Sequence, residues 1–313
     1  MVRVAVSRFL ACCLAALFLA SGAPATASGT DFALTTIAPG VYFHAGALAD
    51  LDSPARADSA NVGFIVGERC VAVIDSGGAI ATGRALAAAI ARTTDKPVCY
   101  VINTHVHFDH VLGNAAFSGN DTRFVGHQEL GEVMAANREY FAEHFAAELE
   151  GAGGAARVIG PDQLVADTTE LDLGGRTLVL RAVQRAHTTT DLTVHDRATD
   201  TLWAGDLLFR DRLPVVDGSL KGWLAWMAQA RAQGYARVVP GHGPVDAGWP
   251  AGSDAQLAYL EALRDDTRAA IAAGTFIEDA REAIARPERE EFALTRRAHA
   301  VNVSRAFREL EWE

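Results

Sequence analysis

The sequence predicts an α/β domain in which two β-sheets pack together with helices outside. Three observations carry this. Short apolar runs rich in Val and Ile recur between Gly, Pro, Asn and Asp clusters, as at 61–66, 71–74 and 98–103. Longer stretches with helical spacing fall at 79–91, 128–150, 220–232, 254–273 and 289–310. No low-complexity linker separates the two halves, and each half runs strands, then helix, then strand, so both belong to one core.

The N-terminus stands apart from that core. Arg3 and Arg8 precede a twelve-residue apolar run, Phe9 to Ala20. Ser21 to Pro24 breaks the run, and Ala25-Thr26-Ala27 offers a small-residue cleavage site before Ser28. This is the pattern of a secretory signal peptide over residues 1–27, and the run is too short to span a bilayer, which needs ~20 apolar residues. The expected mature domain is residues 28–313, periplasmic or secreted. Removing Arg3 and Arg8 takes the formal charge from −11 to −13. That surface disfavours nucleic acid and anionic membrane, and no later stretch is apolar enough to span a membrane. A small-molecule substrate is the expected partner.

The elements follow in order. Residues 32–46 read as strand, Pro39-Gly40 turn, strand. Residues 47–60 are polar and broken, a loop. Residues 61–66 and 71–74 form a hairpin about Gly67-Glu68-Arg69, closed by Asp75-Ser76-Gly77-Gly78. Ala79 to Ala91 is Ala-rich with Ile80, Leu86 and Ile90 at helical spacing. Residues 98–103 are a strand, 122–125 a brief one, and 128–150 one long amphipathic helix. Residues 171–180 are a hairpin about Gly174-Gly175, and 192–195 and 201–204 two more strands. The helix at 220–232 leads to a strand at 236–239, ending in a tight turn, Pro240-Gly241-His242-Gly243. Two C-terminal helices are expected over 254–273 and 289–310.

Chemistry concentrates where strands end. His105, His107, Asp109 and His110 fall within six residues after the strand at 98–103. Imidazole and carboxylate suit zinc, so the stretch reads as a metal loop on the rim of a sheet. His187, Asp206 and His242 each sit at a strand end or between strands. One histidine alone says little, but together these residues supply donors for two ions. His44, His144, His195 and His299 have no partners at ligand spacing, and His127 reads as a solvent or supporting residue. Trp203, Trp223, Trp226 and Trp249 read as packing residues, with Trp223 within reach of the mouth. Cys70 and Cys99 each start a strand. They either bridge, if those strands are parallel neighbours, or are buried separately as small apolar side chains.

The His-x-His-x-Asp-His motif at 105–110, with His187, Asp206 and His242 downstream in that order, resembles the metallo-β-lactamase-fold hydrolase superfamily. The resemblance implies an αββα four-layer sandwich with metals at one edge. It implies that His105, His107 and His187 hold a first zinc, that Asp109, His110 and His242 hold a second, and that Asp206 bridges the two. Two such ions share a water, lower its pKa toward neutrality and generate a bridging hydroxide that attacks a carbonyl. Asp109 is the candidate catalytic residue, orienting the nucleophile and shuttling its proton. Asp75 resembles the superfamily's first acidic motif and is the candidate acceptor for a ligand imidazole.

Finer features narrow the reading. At Asp206 the chain resembles glyoxalase II and other non-lactamase members, whereas β-lactamases with both Asp and His in the opening motif generally lack that bridging Asp, so the resemblance disfavours a β-lactamase. The segments 61–75 and 103–110 and the tail 302–313 are similar to exported zinc metallohydrolases of quinoprotein relay systems. That resemblance implies a periplasmic quinoprotein or cytochrome partner, or a link to sulfur oxidation. The substrate stays open among ester, thioester and similar carbonyl compounds. Two rivals remain: a metallo-β-lactamase, and a di-iron redox protein on the same fold, since Asp109 and Asp206 suit iron as well as zinc. Five histidines favour zinc. The pocket is expected to be shaped by the loops 47–60 and 209–222.

Overall fold

A computed structural model describes residues 32–119, 121–284, 292–293 and 295–313. Phe32–Glu313 forms one compact unit. The expected signal peptide, 1–27, lies outside the described residues, as does the start of the helix expected from Arg289.

The first sheet has seven strands in spatial order β1 (Thr35–Ala38), β2 (Val41–His44), β3 (Val62–Val66), β4 (Val71–Ile74), β5 (Val98–Ile102), β6 (Arg123–His127) and β7 (Gln163–Val165). β1 to β4 pair antiparallel, as their tight connections and the 47–60 loop allow. β4 to β7 pair parallel. Parallel neighbours need a crossover, and α1 (Ile80–Thr93) provides it between β4 and β5. Its buried Ile80, Leu86 and Ile90 are the side chains whose spacing predicts the helix. After β5 comes a single helical turn, α2 (Phe108–Val111), then a 3-10 segment, Leu112–Phe117.

The helix expected over 128–150 is broken. α3 (Leu130–Ala136) and α4 (Arg138–His144) flank Asn137, whose side chain bonds back to the Val133 carbonyl at 2.9 Å. An Asn side chain that competes for backbone partners interrupts a helix whose apolar pattern continues past it.

The second sheet runs β12 (Arg237–His242), β11 (Thr201–Phe209), β10 (Leu192–Asp196), β9 (Thr177–Ala182) and β8 (Thr168–Asp172) in space. α5 (Leu220–Arg231) crosses from β11 to its parallel partner β12. Ser219 caps α5 by accepting from the Gly222 amide at 3.0 Å. β11 is longer than the sequence pattern suggests, and β12 continues through Pro240 and Gly241 to His242 in place of the expected tight turn. β12 is an edge strand, where a missing proline N–H costs no ladder bond. A Cβ at Gly241 would collide with the Asp206 carboxylate, so glycine is what lets β12 pass that residue.

Ile65, Ile74 and Ile102 of the first sheet pack with Leu180, Val194 and Trp203 of the second in one buried cluster. Outside the first sheet, Leu86 and Ile90 of α1 cover Val73 and Val101. Outside the second, α5, α6 (Asp254–Ala272) and the C-terminal helix bury Trp223, Leu260 and Val303. The layers therefore run αββα, as the sequence implies. A short helix without a sequence expectation, α7 (Ile277–Ala283), precedes α8 (Thr295–Leu310). Cys70 and Cys99, on the parallel neighbours β4 and β5, are joined as a disulfide with Cα atoms 5.8 Å apart.

Candidate metal centre

Every strand that contributes to the centre does so at or near one rim of the sandwich. β4 ends at Asp75, β5 leads into Thr104 to His110, and the β9–β10 connection carries His187. Asp206 lies within β11, and His242 ends β12. The fold brings all seven sequence-selected residues into two groups: His105, His107, His187 and Asp206, and Asp109, His110 and His242. Within each group the potential ligand atoms lie within 4.8 Å of one another.

Each of the five imidazoles has one nitrogen bonded outward. His105 Nδ1 meets Thr104 Oγ1 at 3.1 Å, and that hydroxyl donates to Asp75 Oδ2 at 2.7 Å, so it accepts from the ring. His110 Nδ1 donates to Asp75 Oδ2 at 2.8 Å. His187 Nδ1 donates to the Val215 carbonyl at 2.7 Å, and His242 Nδ1 to the Ser59 carbonyl at 2.8 Å. His107 is turned the other way, with Nε2 on Asp217 Oδ2 at 3.3 Å. Fixing one nitrogen as donor leaves the other as a bare lone pair. Those lone pairs converge. His105, His187 and His242 point Nε2 at Asp206 Oδ2 from 3.6, 3.3 and 3.3 Å. His110 Nε2 is 3.2 Å from Asp206 Oδ1.

Asp206 therefore lies between the two groups. His187 Nε2 and His107 Nδ1 face each other at 3.1 Å, two acceptors with no proton left to share. His105 Nε2, His110 Nε2 and Asp206 Oδ1 are buried without a hydrogen-bond partner. Buried polar atoms are nearly always satisfied, so such a set calls for cations. Nitrogens held about 2.0–2.1 Å from a tetrahedral ion lie roughly 3.3–3.4 Å apart, close to the spacings here. The residues fit divalent metals.

Electrostatics separate the rings. Burial opposes a charge at His107 and His110, but Asp217 outweighs it at the first, and Asp206 and Asp75 outweigh it at the second, so those two are raised above the ordinary imidazole range. Burial, reinforced by the neighbouring histidines, pushes His105 well below the ordinary imidazole range. Burial likewise takes His187 down to about 3. Both are thus in the neutral form that ligates. Burial alone would raise Asp206, but the imidazoles of His242, His110 and His105 that crowd its two oxygens favour the carboxylate and hold it well below its usual range.

Asp75 shows how the first sheet sets these rings. At φ +55° it adopts a left-handed conformation uncommon for a residue with a side chain. Its carboxylate then accepts from the Thr104 amide at 2.8 Å, the Thr104 hydroxyl and His110. Ser59, from the 47–60 loop, supports the second group. Its hydroxyl donates to Asp109 Oδ2 at 2.7 Å while its carbonyl holds His242. Asn61 anchors the end of β12 by donating to the Pro240 and Gly243 carbonyls at 2.9 and 2.8 Å.

The family model for the metallo-beta-lactamase superfamily matches residues 55–242. The chain belongs to that superfamily. Among solved structures it resembles a metallo-beta-lactamase from Pontibacter korlensis at 21% identity and a TM-score of 0.57, covering 73% of this chain and 98% of that one. It also resembles the stereoselective inverting sec-alkylsulfatase Pisa1 from Pseudomonas sp. at 14% identity and a TM-score of 0.65, covering 90% of this chain and 50% of that one. The chain thus spans about half the length of the sulfatase. TMB-1 matches at 16% identity and a TM-score of 0.54, over 73% of this chain and 96% of its own. At these identities the likeness is one of fold. No curated protein matches the chain.

In this superfamily member the centre opens into a cleft of about 490 Å³. Val106, Phe108, Phe141 and Phe145 form an apolar wall, and Arg212, Arg297 and Arg305 lie on the lining as well. Arg305 pairs with Asp217, and Arg297 reaches Asp52 at 3.7 Å. Arg212 has no carboxylate partner among the described residues, and its Nε is buried without a hydrogen-bond partner. Its Nη1 is 3.2 Å from His242 Nδ1, whose proton already goes to Ser59, so that contact is not a hydrogen bond. The loops 47–60 and 209–222 do line the cleft, but α4 and α8 contribute too, beyond the sequence expectation. A larger cleft of about 650 Å³, bordered by Arg181, Arg185, Trp226 and Tyr235, contains none of the seven residues.

Trp223 does not reach the mouth. It is fully buried, its Nε1 donates to the Leu207 carbonyl at 2.9 Å, and its ring backs His187 at 5.2 Å. Ser59, Asp217 and Arg212 carried no sequence signal beyond lying in pocket-forming loops.

Proposed function

We propose that this chain is an exported zinc-dependent hydrolase that cleaves an ester, thioester or similar carbonyl substrate in the periplasm. The observation that carries the reading is the convergence of five imidazole lone pairs and two carboxylates, each imidazole fixed from behind by its own acceptor. His105, His107 and His187 would hold one ion, Asp109, His110 and His242 the other, with Asp206 shared. Bound there, two zinc ions supply Lewis-acid polarisation of the substrate carbonyl and a water acidified toward neutral pH.

The chain's own residues do the rest. Asp109, steadied at Oδ2 by the Ser59 hydroxyl, orients the attacking water and takes its proton. Arg212, whose guanidinium has no carboxylate partner among the described residues and whose Nε is unsatisfied, offers its charge to an anionic group on the substrate. The wall of Val106, Phe108, Phe141 and Phe145 receives an apolar portion and keeps bulk water off the reacting atoms. Asp206, placed between the two groups, favours this reading over a β-lactamase. The similarity of segments 61–75, 103–110 and 302–313 to exported quinoprotein-relay hydrolases supports action beside a periplasmic quinoprotein dehydrogenase or a sulfur-oxidation system.

A panel of thioesters, carboxylic esters, alkyl sulfates and lactams, assayed with zinc-loaded protein, tests the proposal. The sulfate esters belong in the panel because of the likeness to the sec-alkylsulfatase. Turnover of a thioester or carboxylic ester that is lost in Asp109→Ala and His107→Ala is the expected result. Activity that survives either substitution overturns the proposal. Efficient lactam turnover alone would favour the β-lactamase reading, and iron retained by protein purified from its native host would favour the redox one.

A further inference from the structure

α8 lies outside the family match, and its segment 302–313 is one that the sequence singles out. Asn302, Arg305 and Glu309 recur at i, i+3 and i+7, so they share one face of the helix. That face meets the segment from Pro214 to Lys221, a loop that runs into the first turn of α5. Asn302 Oδ1 accepts from the Val216 amide at 2.8 Å, and its Nδ2 donates to the Pro214 carbonyl at 2.7 Å. Arg305 pairs with Asp217 at 2.5 Å. Glu309 accepts from the Ser219 hydroxyl at 2.6 Å and the Leu220 amide at 2.7 Å.

The other edge of the loop faces the metal centre, and it touches only one of the two groups. The Val215 carbonyl holds His187 Nδ1 at 2.7 Å, and the Asp217 amide donates to the His187 carbonyl at 2.9 Å. Asp217 Oδ2 holds His107 Nε2 at 3.3 Å. The Ser219 amide donates to the Ala186 carbonyl at 2.7 Å. His110 takes its outward acceptor from Asp75, and His242 takes its own from Ser59. Two of the three histidines in the first group thus depend on a loop that α8 holds in place, whereas His110 and His242 of the second group are held by Asp75 after β4 and by Ser59 of the 47–60 loop.

We propose that α8 is a positioning clamp, selective for the first metal group, acting through Asn302, Arg305 and Glu309 on the 214–221 loop and so on His107 and His187. This rests on the reading of the two groups as metal sites. Arg305 and Asn302 are positioning residues, not catalytic ones. The clamp makes the affinities of the two sites separable, because loosening the loop frees the rings of one site alone.

The test is zinc titration of the full chain against a chromophoric chelator, comparing wild type, Arg305→Met, Arg305→Lys, Asn302→Ala and His107→Ala. The mutation of a residue that orients a ligand costs metal affinity by roughly 10–100-fold. Arg305 and Asn302 act one contact further out, so we expect Arg305→Met and Asn302→Ala to weaken one of two binding events at the lower end of that range, by about tenfold. The event they leave intact should match the one that survives in His107→Ala, and Arg305→Lys should recover part of the loss. Arg305 is partly exposed, so its substitution leaves a folded protein in which the readout stands even if Asn302→Ala does not fold. If both events weaken together, or neither does, while wild type binds two ions, the clamp is wrong and the reading of the centre survives. If wild type binds no zinc, both fall.

Discussion

Replacing Asp75 by Asn changes the outer bonding of the centre while nearly preserving side-chain shape. Asp75 accepts three hydrogen bonds from buried donors, at 2.8 Å from the Thr104 amide, 2.7 Å from the Thr104 hydroxyl and 2.8 Å from His110 Nδ1. The amide group of Asn brings one oxygen and one NH₂. With its oxygen toward His110, the NH₂ faces the Thr104 amide. With its oxygen toward that amide, the NH₂ faces His110. Either way a buried donor is left unpaired, which costs about 1–3 kcal/mol. If the orphan is His110, the ring is freed to turn and metal affinity falls by roughly 10–100-fold, about 1.4–2.7 kcal/mol. Urea unfolding with and without excess zinc at one fixed concentration separates the two losses, since a bound metal adds to stability with the logarithm of its affinity. The expected outcome is a lower midpoint without zinc and a smaller zinc-induced increase. An Asp75→Asn protein whose zinc affinity stays within twofold of wild type would refute the argument that this carboxylate orients a ligand.

Arg212→Met should raise KM by about tenfold or more for substrates with an anionic group and leave neutral analogues within about twofold, because a buried charge-assisted contact is worth about 1.5–3 kcal/mol; steady-state kinetics on matched pairs check this. Opening the Cys70–Cys99 disulfide, which closes a sequence separation of 29, should destabilise the fold by about 3–4 kcal/mol at 25 °C on loop-entropy grounds, read by denaturant unfolding of the double Cys→Ala variant. Stability should also fall in acid through Asp196. Burial opposes its ionisation, but the bonds from Arg176 and Thr199 outweigh that and lower its pKa in the folded state. Its contribution is therefore full above the unfolded carboxyl value of about 4 and is lost as pH drops through the lower folded value. Asp196→Asn should flatten the acid limb of the stability profile.

The seven residues that converge at the rim were legible in the sequence because most of them are local to one motif. Four of the residues occupy one six-residue stretch after a strand, Asp206 and His242 follow apolar runs that read as strands, and His187 lies in the connection between two of them. The order of layers was legible for the same reason, since alternation and helical spacing report which faces are buried. What escaped was whatever depends on how loops return to the rim. Ser59 and Asp217 act through single hydrogen bonds from irregular segments, and no periodicity announces a loop carbonyl such as that of Val215. Apolar spacing also ran straight through Asn137, where a side chain in competition for the backbone breaks the helix. At Pro240 and Gly241 the residue types argued for a turn, and the edge position of β12 allowed a strand. Spacing reads Trp223 as a packing residue but does not say which way it faces, and its place behind His187 follows from helix α5 lying on the second sheet.

The central claim is that seven side chains from both sheets hold two divalent ions. The number of zinc ions bound per chain, measured by elemental analysis after loading and exhaustive dialysis, tests it most directly. The account predicts two in the wild type, falling below two in Asp206→Asn, where the residue between both groups loses its charge. Retention of no zinc by the folded wild-type protein, or of only one ion that Asp206→Asn leaves undisturbed, would contradict it.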